Sequence, residues 1–375
     1  MQILYFSRAY TTHDRQFLLK LAESRHETWY LRLEDDGTLY EQRALPRGIR
    51  EVDWPGGKGP AGTPEDWLGL APALEKVITD IRPDLVHAGP VQSCGFMTAL
   101  IGFHPLLVMS WGSDILMDAD RNELWRWLTR YTLDRSDMLF CDSQAVCTKA
   151  QQITVYADEQ IVQFPWGVNL QQFAPGPDVL RLHERQGWDD STIILSTRAW
   201  EPIYGIDVVL SAFRQAHTTR RDLRLVLVGS GSLAEQIQGF IVQNDLQDVV
   251  YCPGQVLHST LPDFFRAVDY YVSCTYSDGS SVSLLEALAT GLPVVVTDAV
   301  GNREWVLSEE NGWLATAGDA EAFAQTLLQA ANLDIAERRR MSVLNRRIAE
   351  ERANWDRNSV KLLDAYERFG EQYGY

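Results

Sequence analysis

Basic residues are scarce here relative to acidic ones: 34 Lys and Arg stand against 51 Asp and Glu, a formal charge of −17. A phosphate backbone is gripped by a basic face, so a nucleic-acid partner is not expected. Any anionic small molecule must instead be held by local cations and backbone dipoles. Cysteine is scarce too. The five residues Cys94, Cys141, Cys147, Cys252 and Cys274 show no paired metal-ligand spacing, and their odd number suits reduced thiols in a cytosol. No apolar run approaches the roughly 20 residues that span a bilayer. The opening MQILYFSRAY lacks a basic start and a long apolar centre, and reads as a strand rather than a signal peptide. The expectation is a soluble, cytoplasmic protein, with peripheral contact at a membrane surface left open.

What is present is apolar material for cores: 45% of 375 residues, enough for two domains of ordinary size. Short β-branched runs alternate with helical spacing. QILYF (2–6), ETWYLRL, PDLVHAG, PLLVM and MLFCDS (138–143) read as strands, with helices expected at His13–Leu21 and around 65–80, 92–102 and 122–135. Residues 50–63, rich in Gly and Pro, read as a loop, and 161–178 as an interdomain linker. The rhythm then restarts with TIILST (192–197), LRLVLVG (223–229), DVVYCPG (248–254) and DYYVSCT (269–275), with helices between them and three more at the end, around 319–332, 334–351 and 356–370. This βα alternation implies parallel sheets, hence two doubly wound Rossmann-like domains facing a cleft. Ligands of such sheets gather beyond the carboxyl ends of the strands.

One stretch concentrates chemistry. YSDGSSVSLLEALATGLPVVVTD (276–298) reads as a polar loop, a short helix stopped at Gly291, and a buried strand. Ser280, Ser281 and Ser283 lie where the helix begins, and Asp278 and Glu286 bracket the turn. A helix start attracts anions, while neighbouring carboxylates bind hydroxyls. Glu286 sits among Leu284, Leu285, Ala287 and Leu288, so its carboxylate needs a specific partner, and a ribose diol suits it. Arg198 follows a strand end, where a diphosphate leaving group needs neutralising. In the first half, Trp111, Gly112, Ser113 and Asp114 follow a strand, and Arg8, His13 and His87 are placed likewise. The Gly229-Ser230-Gly231 turn looks like a dinucleotide fingerprint, but no acidic residue ends the next strand, so tight packing is at least as good a reading. Trp125 and Trp127 with Arg126 and Arg130 are read as ordinary helix packing rather than a membrane patch.

Taken in order, VHAG, SWGSDIL, PWGVNLQQF, STRAWEPIYGID, LVLVGSGSL, LPDFFRAVDYYVSC, DGSSVSLLEALATGLPVVVTD and GNREWV resemble a family 4 retaining glycosyltransferase of GT-B fold. The resemblance covers nearly the whole chain. It implies an acceptor-binding domain at 1–168, a nucleotide-sugar domain at 169–354, and a C-terminal helix at 355–375 crossing back to the first. It also implies transfer from a UDP- or GDP-sugar to a hydroxyl acceptor such as a saccharide or lipid-linked glycan, with retained configuration and no metal or other cofactor. Asp278 and Arg198 would be catalytic. Glu286 would hold the ribose, Gly279, Ser280, Ser281 and Val282 would offer backbone amides, Val256 would edge the base, and Arg303 would assist at the phosphates. Arg8, His13, Trp111 and Asp114 would serve the acceptor. The chain departs from the family in having Asp278 where Glu is usual and Trp111 where His is common. It has no Lys in Glu201-Pro202-Ile203-Tyr204 and no glycine pair in the first loop. A nucleotide-sugar-binding or partner subunit without turnover, and a nucleotide-sugar epimerase, are the alternatives.

Overall fold

The computed structural model describes residues 1–37 and 41–374. The chain divides into two compact units, Met1–Phe164 with Ser359–Tyr375, and Pro165–Asn358. In the first, strands β1 (Gln2–Ser7), β2 (Glu27–Arg32), β3 (Ile49–Glu51), β4 (Leu85–Gly89), β5 (Leu106–Met109), β6 (Met138–Cys141) and β7 (Ile161–Gln163) form one sheet in the order β3-β2-β1-β4-β5-β6-β7. Every pair is parallel. Strands β4, β5 and β6 are buried along their whole length, as strands covered on both faces must be.

The second unit repeats the plan with β8 (Thr192–Ser196), β9 (Leu223–Val228), β10 (Val250–Gly254), β11 (Tyr270–Ser273), β12 (Val294–Thr297) and β13 (Gly312–Ala315), ordered β10-β9-β8-β11-β12-β13 and parallel throughout. Strand order reverses at β1/β4 in the first sheet and at β8/β11 in the second. At such a switch point the connections leave to opposite sides and open a crevice above the strand ends. Local signals set the helix starts that feed these sheets. Thr11 and Asp14, and Thr63 and Asp66, form reciprocal capping boxes. Gly291, at φ +79°, ends the helix Val282–Ala289 beyond Thr290.

Several expectations change. Ile161–Gln163, read as the start of a linker, is the edge strand β7, and Ile49–Glu51 at the margin of the expected loop is β3. Strands of three residues carry too little alternation to be seen in sequence. The helix expected at 92–102 opens as a π-helical turn, Val91–Gly95, before Phe96–Leu100. The last helix is broken at Ser359 into Trp355–Asn358 and Val360–Tyr373. Cys141 and Cys147 are joined as a disulfide, against the expectation of five reduced thiols. The turn after β6 brings the helix Gln144–Ile153 back over the strand end, leaving their Cα atoms 6.4 Å apart. Cys94, Cys252 and Cys274 are free.

His87, a strand-end candidate in sequence, lies within β4 and is fully buried. Its ring packs against Tyr5 and Phe140, with centroids 4.9 and 5.4 Å away, and its Nδ1 shares a hydrogen bond with the Tyr366 hydroxyl of the final helix. Burial drives its pKa down to about 3, so the ring stays neutral. Its Nε2 has no partner among the described residues. Tyr366→Phe would leave both ring nitrogens buried and unpaired. It should lower the free energy of unfolding by about 1–3 kcal/mol, measured by urea titration; an unchanged midpoint would show that the bond does not anchor the helix.

Candidate functional site

The second unit's switch point brings several of the candidate residues together. Arg198 follows β8, the loop Thr275–Ser281 follows β11, and the two strands are neighbours. Arg198 is buried, so its charge must be met on the spot. Its Nη2 donates to Asp278 Oδ2 at 2.8 Å, and its Nη1 to Ser281 Oγ at 2.7 Å and Ser283 Oγ at 3.1 Å. Burial, the largest single influence, disfavours the charged guanidinium, but the Asp278 carboxylate together with Tyr204 and Tyr271 outweighs it and lifts the pKa above its already high ordinary value. The Tyr204 ring lies 3.9 Å from the guanidinium carbon in a cation–π contact. Tyr204 closes the segment Glu201-Pro202-Ile203-Tyr204, which contains no Lys. Tyr271 donates to Ser283 Oγ at 2.7 Å and fixes that hydroxyl from below. Ser281 stands at the N-cap of the helix Val282–Ala289 yet makes no side-chain cap bond. Its hydroxyl serves Arg198 instead.

Glu286 lies one turn into this helix with its side chain 5% exposed. The partner its burial demands is His258, whose Nε2 is 3.3 Å from Oε1. Burial raises the Glu286 pKa, while the His258 hydrogen bond and the charge of Arg198 pull it back. His258 carried no local signal in sequence. Val256 is half-buried against the core two residues earlier. Ser280 Oγ receives Trp305 Nε1 at 3.3 Å. Gly279 and Ser280 are buried and Val282 is half-buried. Arg303 is exposed and pairs with Asp298 at 2.9 Å, not with Asp278. The Gly229-Ser230-Gly231 turn packs beneath Arg198–Trp200: Ser230 O accepts from Trp200 N at 2.9 Å, and a Cβ on Gly231 would meet Trp200 O at 2.5 Å. That is the packing reading of this turn.

The first unit's candidates divide. The rings of His13 and Trp111 are neighbours, with centroids 5.6 Å apart. Arg8 is exposed and ion-paired with Glu34. Asp114 is buried, and its carboxylate is occupied by Ser110 Oγ at 2.6 Å and the amides of Val91, Trp111 and Ile115 at 3.0–3.1 Å. Its work is to hold the loop that carries Trp111. Burial raises its pKa, and these donors oppose the rise.

The loop that carries Asp278 is seated on Gly301. A Cβ there would fall 1.7 Å from Gly279 O and 2.5 Å from Asp278 O. Gly301→Ala must push the loop away and should destabilise the fold by about 1–3 kcal/mol or more. Gly239, in the helix Ala234–Gln243, has open space around its Cα, and Gly239→Ala should stabilise by about 0.5–1 kcal/mol. Chemical denaturation of both variants checks this, and a neutral Gly301→Ala would contradict the seating.

Among the described residues, no cluster of three or more His, Cys, Asp or Glu is placed to hold a metal, and no helix is long and apolar enough to cross a membrane. Residues 2–143 match the glycosyl transferase 4-like family and residues 190–332 the group 1 glycosyl transferases. The amylovoran biosynthesis glycosyltransferase AmsK of Erwinia amylovora is 29% identical over 168 residues, 43% of this chain and 41% of that protein. The chain spans about half the length, or less, of the first curated relatives it matches. Sucrose-phosphate synthase from Thermosynechococcus elongatus shares the fold at a TM-score of 0.82 and 18% identity, over 99% of this chain and 100% of that one. Anabaena Alr3699/HepE in complex with UDP-glucose does so at 0.77 and 19%, over 100% and 99%. The chain has the GT-B fold, with two Rossmann-like sheets, and is related to the group 1 and 4-like glycosyl transferases.

Proposed function

We propose that the protein transfers a sugar from a nucleotide-sugar donor to a hydroxyl acceptor with retention at the anomeric carbon. The observation that carries the reading is the buried Arg198 at the β8/β11 switch point, bound to Asp278, Ser281 and Ser283 at the start of a helix. A donor diphosphate suits this place, because Arg198 and the positive end of the helix Val282–Ala289 supply positive potential in a chain of net charge −17. As phosphate oxygens take Arg198, Asp278 is released to accept hydrogen bonds from the hydroxyls of the donor sugar. Gly279, Ser280, Ser281 and Val282 present main-chain groups along the same edge, Val256 borders the base, and Glu286 accepts from the ribose diol. Arg303 stays with Asp298 at the rim, available to a phosphate that approaches from that side. Acceptor binding is assigned to the first unit, through Arg8, His13 and Trp111, with Asp114 acting through the loop it holds.

In the step itself, the bond between the anomeric carbon and the diphosphate oxygen breaks. The acceptor oxygen bonds to the same face, and its proton passes to the departing phosphate oxygen. No protein nucleophile is needed. Arg198 stabilises the charge that develops on the leaving group, which is where a preorganised cation acts most strongly. Because HepE is a structure with UDP-glucose, UDP-sugars are the first donors to try, followed by GDP- and ADP-sugars, with saccharides and lipid-linked glycans as acceptors.

Nucleoside diphosphate release should depend on the acceptor, and Arg198→Ala should lower turnover by about 10²–10³-fold. Binding without release across a broad acceptor panel would instead mark a non-catalytic nucleotide-sugar binder. Sugar isomerisation without an acceptor would mark an epimerase.

A further inference from the structure

We propose that His258 is a positioning residue for the donor nucleotide: its Nε2–H holds one oxygen of Glu286 and so presents the other, as a carboxylate, to the ribose. The inference rests on the donor reading given above, but its geometry stands alone. His258 follows β10, and its Nε2 is 3.3 Å from Glu286 Oε1. Among the described residues, no other hydrogen bond reaches this carboxylate. The Gln172 amide nitrogen donates to the His258 carbonyl at 3.1 Å and lies 3.5 Å from its Nδ1. An amide N–H on that side makes Nδ1 the acceptor and assigns the ring proton to Nε2, facing Glu286. Phe173 meets the ring edge-on at 5.4 Å and limits its rotation. Gln172 is itself fixed, because its carbonyl accepts from Arg266 Nη2 at 2.8 Å. A chain of contacts thus runs from Arg266 through Gln172 and His258 to Glu286.

Such an arrangement answers a specific difficulty. A buried carboxylate tends to take up a proton, and a protonated Glu286 loses acceptor capacity for a diol. One donated hydrogen bond both fixes its rotamer and favours its charged form. The other groups around it are accounted for. Arg198, just after β8, adds favourable charge, and Tyr271 from β11 is neutral, its phenol pushed by burial still further above the ordinary tyrosine range. Arg266 and Arg346, on the helices packed against Val282–Ala289, are committed to Asp263, Glu350 and main-chain carbonyls. β12 brings no titratable side chain. Removing the imidazole N–H therefore leaves Glu286 more easily protonated, and nucleotide affinity should fall at a higher pH than before.

The test uses UDP as the probe, titrated calorimetrically from pH 5 to 8. Affinity should drop on the acid side, and His258→Leu should move the midpoint of that drop upward. At pH 7 its affinity should weaken by about tenfold, the equivalent of 1.4 kcal/mol. His258→Gln, which keeps an N–H near the Nε2 position, should recover most of both effects. A His258→Leu variant with an unmoved midpoint would overturn the proposal, since a purely packing role predicts weaker binding with an unchanged pH profile. A ¹⁵N-histidine spectrum of the ligand-free protein decides the pairing separately. An Nε2–H tautomer supports it and an Nδ1–H tautomer overturns it. If UDP fails to bind the wild type at all, the donor reading is what falls.

Discussion

A guanidinium buried beside a strand end dictates the surroundings of this site. Arg198 cannot be left unpaired, because removing one member of a buried charged pair costs about 3–5 kcal/mol. The loop after β11 supplies its charge partner, Asp278, and the helix that follows supplies two hydroxyls, Ser281 and Ser283. Tyr204 supplies an aromatic face. Each of these groups is held in turn: Ser283 by Tyr271, the loop by its seat on Gly301, and the turn beneath Arg198 by the small residues Gly229 and Gly231. The cation and the loop therefore share one geometry.

This arrangement also resolves an electrostatic conflict. A strongly acidic protein repels nucleotide-sugars at long range, and only local groups can reverse that. Here one cation and one helix start are concentrated at the carboxyl ends of parallel strands, and in the proposed reading Asp278 cedes that cation to a phosphate. The same economy explains the uncapped Ser281. A side-chain cap would have occupied amides that, in the proposed reading, are offered to the ligand.

Much of this was legible in the chain. Runs such as Val294–Val296 announce buried parallel strands, and the polar stop after each strand marks where candidates lie, Arg198 and Asp278 in the second sheet and Trp111 in the first. Glu286 stood out because an acid within an apolar helix demands a partner. What stayed hidden is pairing at a distance. Arg198 and Asp278 are 80 positions apart, and Glu286 and His258 are 28 apart. No local pattern couples them, because topology alone brings β8 beside β11 and the end of β10 near the helix. The three-residue strands β3 and β7 were missed for want of length. The Cys141–Cys147 bridge was missed because composition argues about compartment, whereas the bridge follows from a turn. The burial of Asp114, and the four donors that occupy its carboxylate, appear only in three dimensions.

The central claim is that a donor diphosphate takes Arg198 from Asp278. UDP binding to Asp278→Asn tests it most directly. With the competing carboxylate neutralised, the account predicts UDP affinity equal to or tighter than that of the wild type, together with a loss of sugar transfer. UDP affinity that weakens in step with turnover would contradict it, because Asp278 would then belong to the nucleotide's own binding set rather than being the group that the nucleotide displaces.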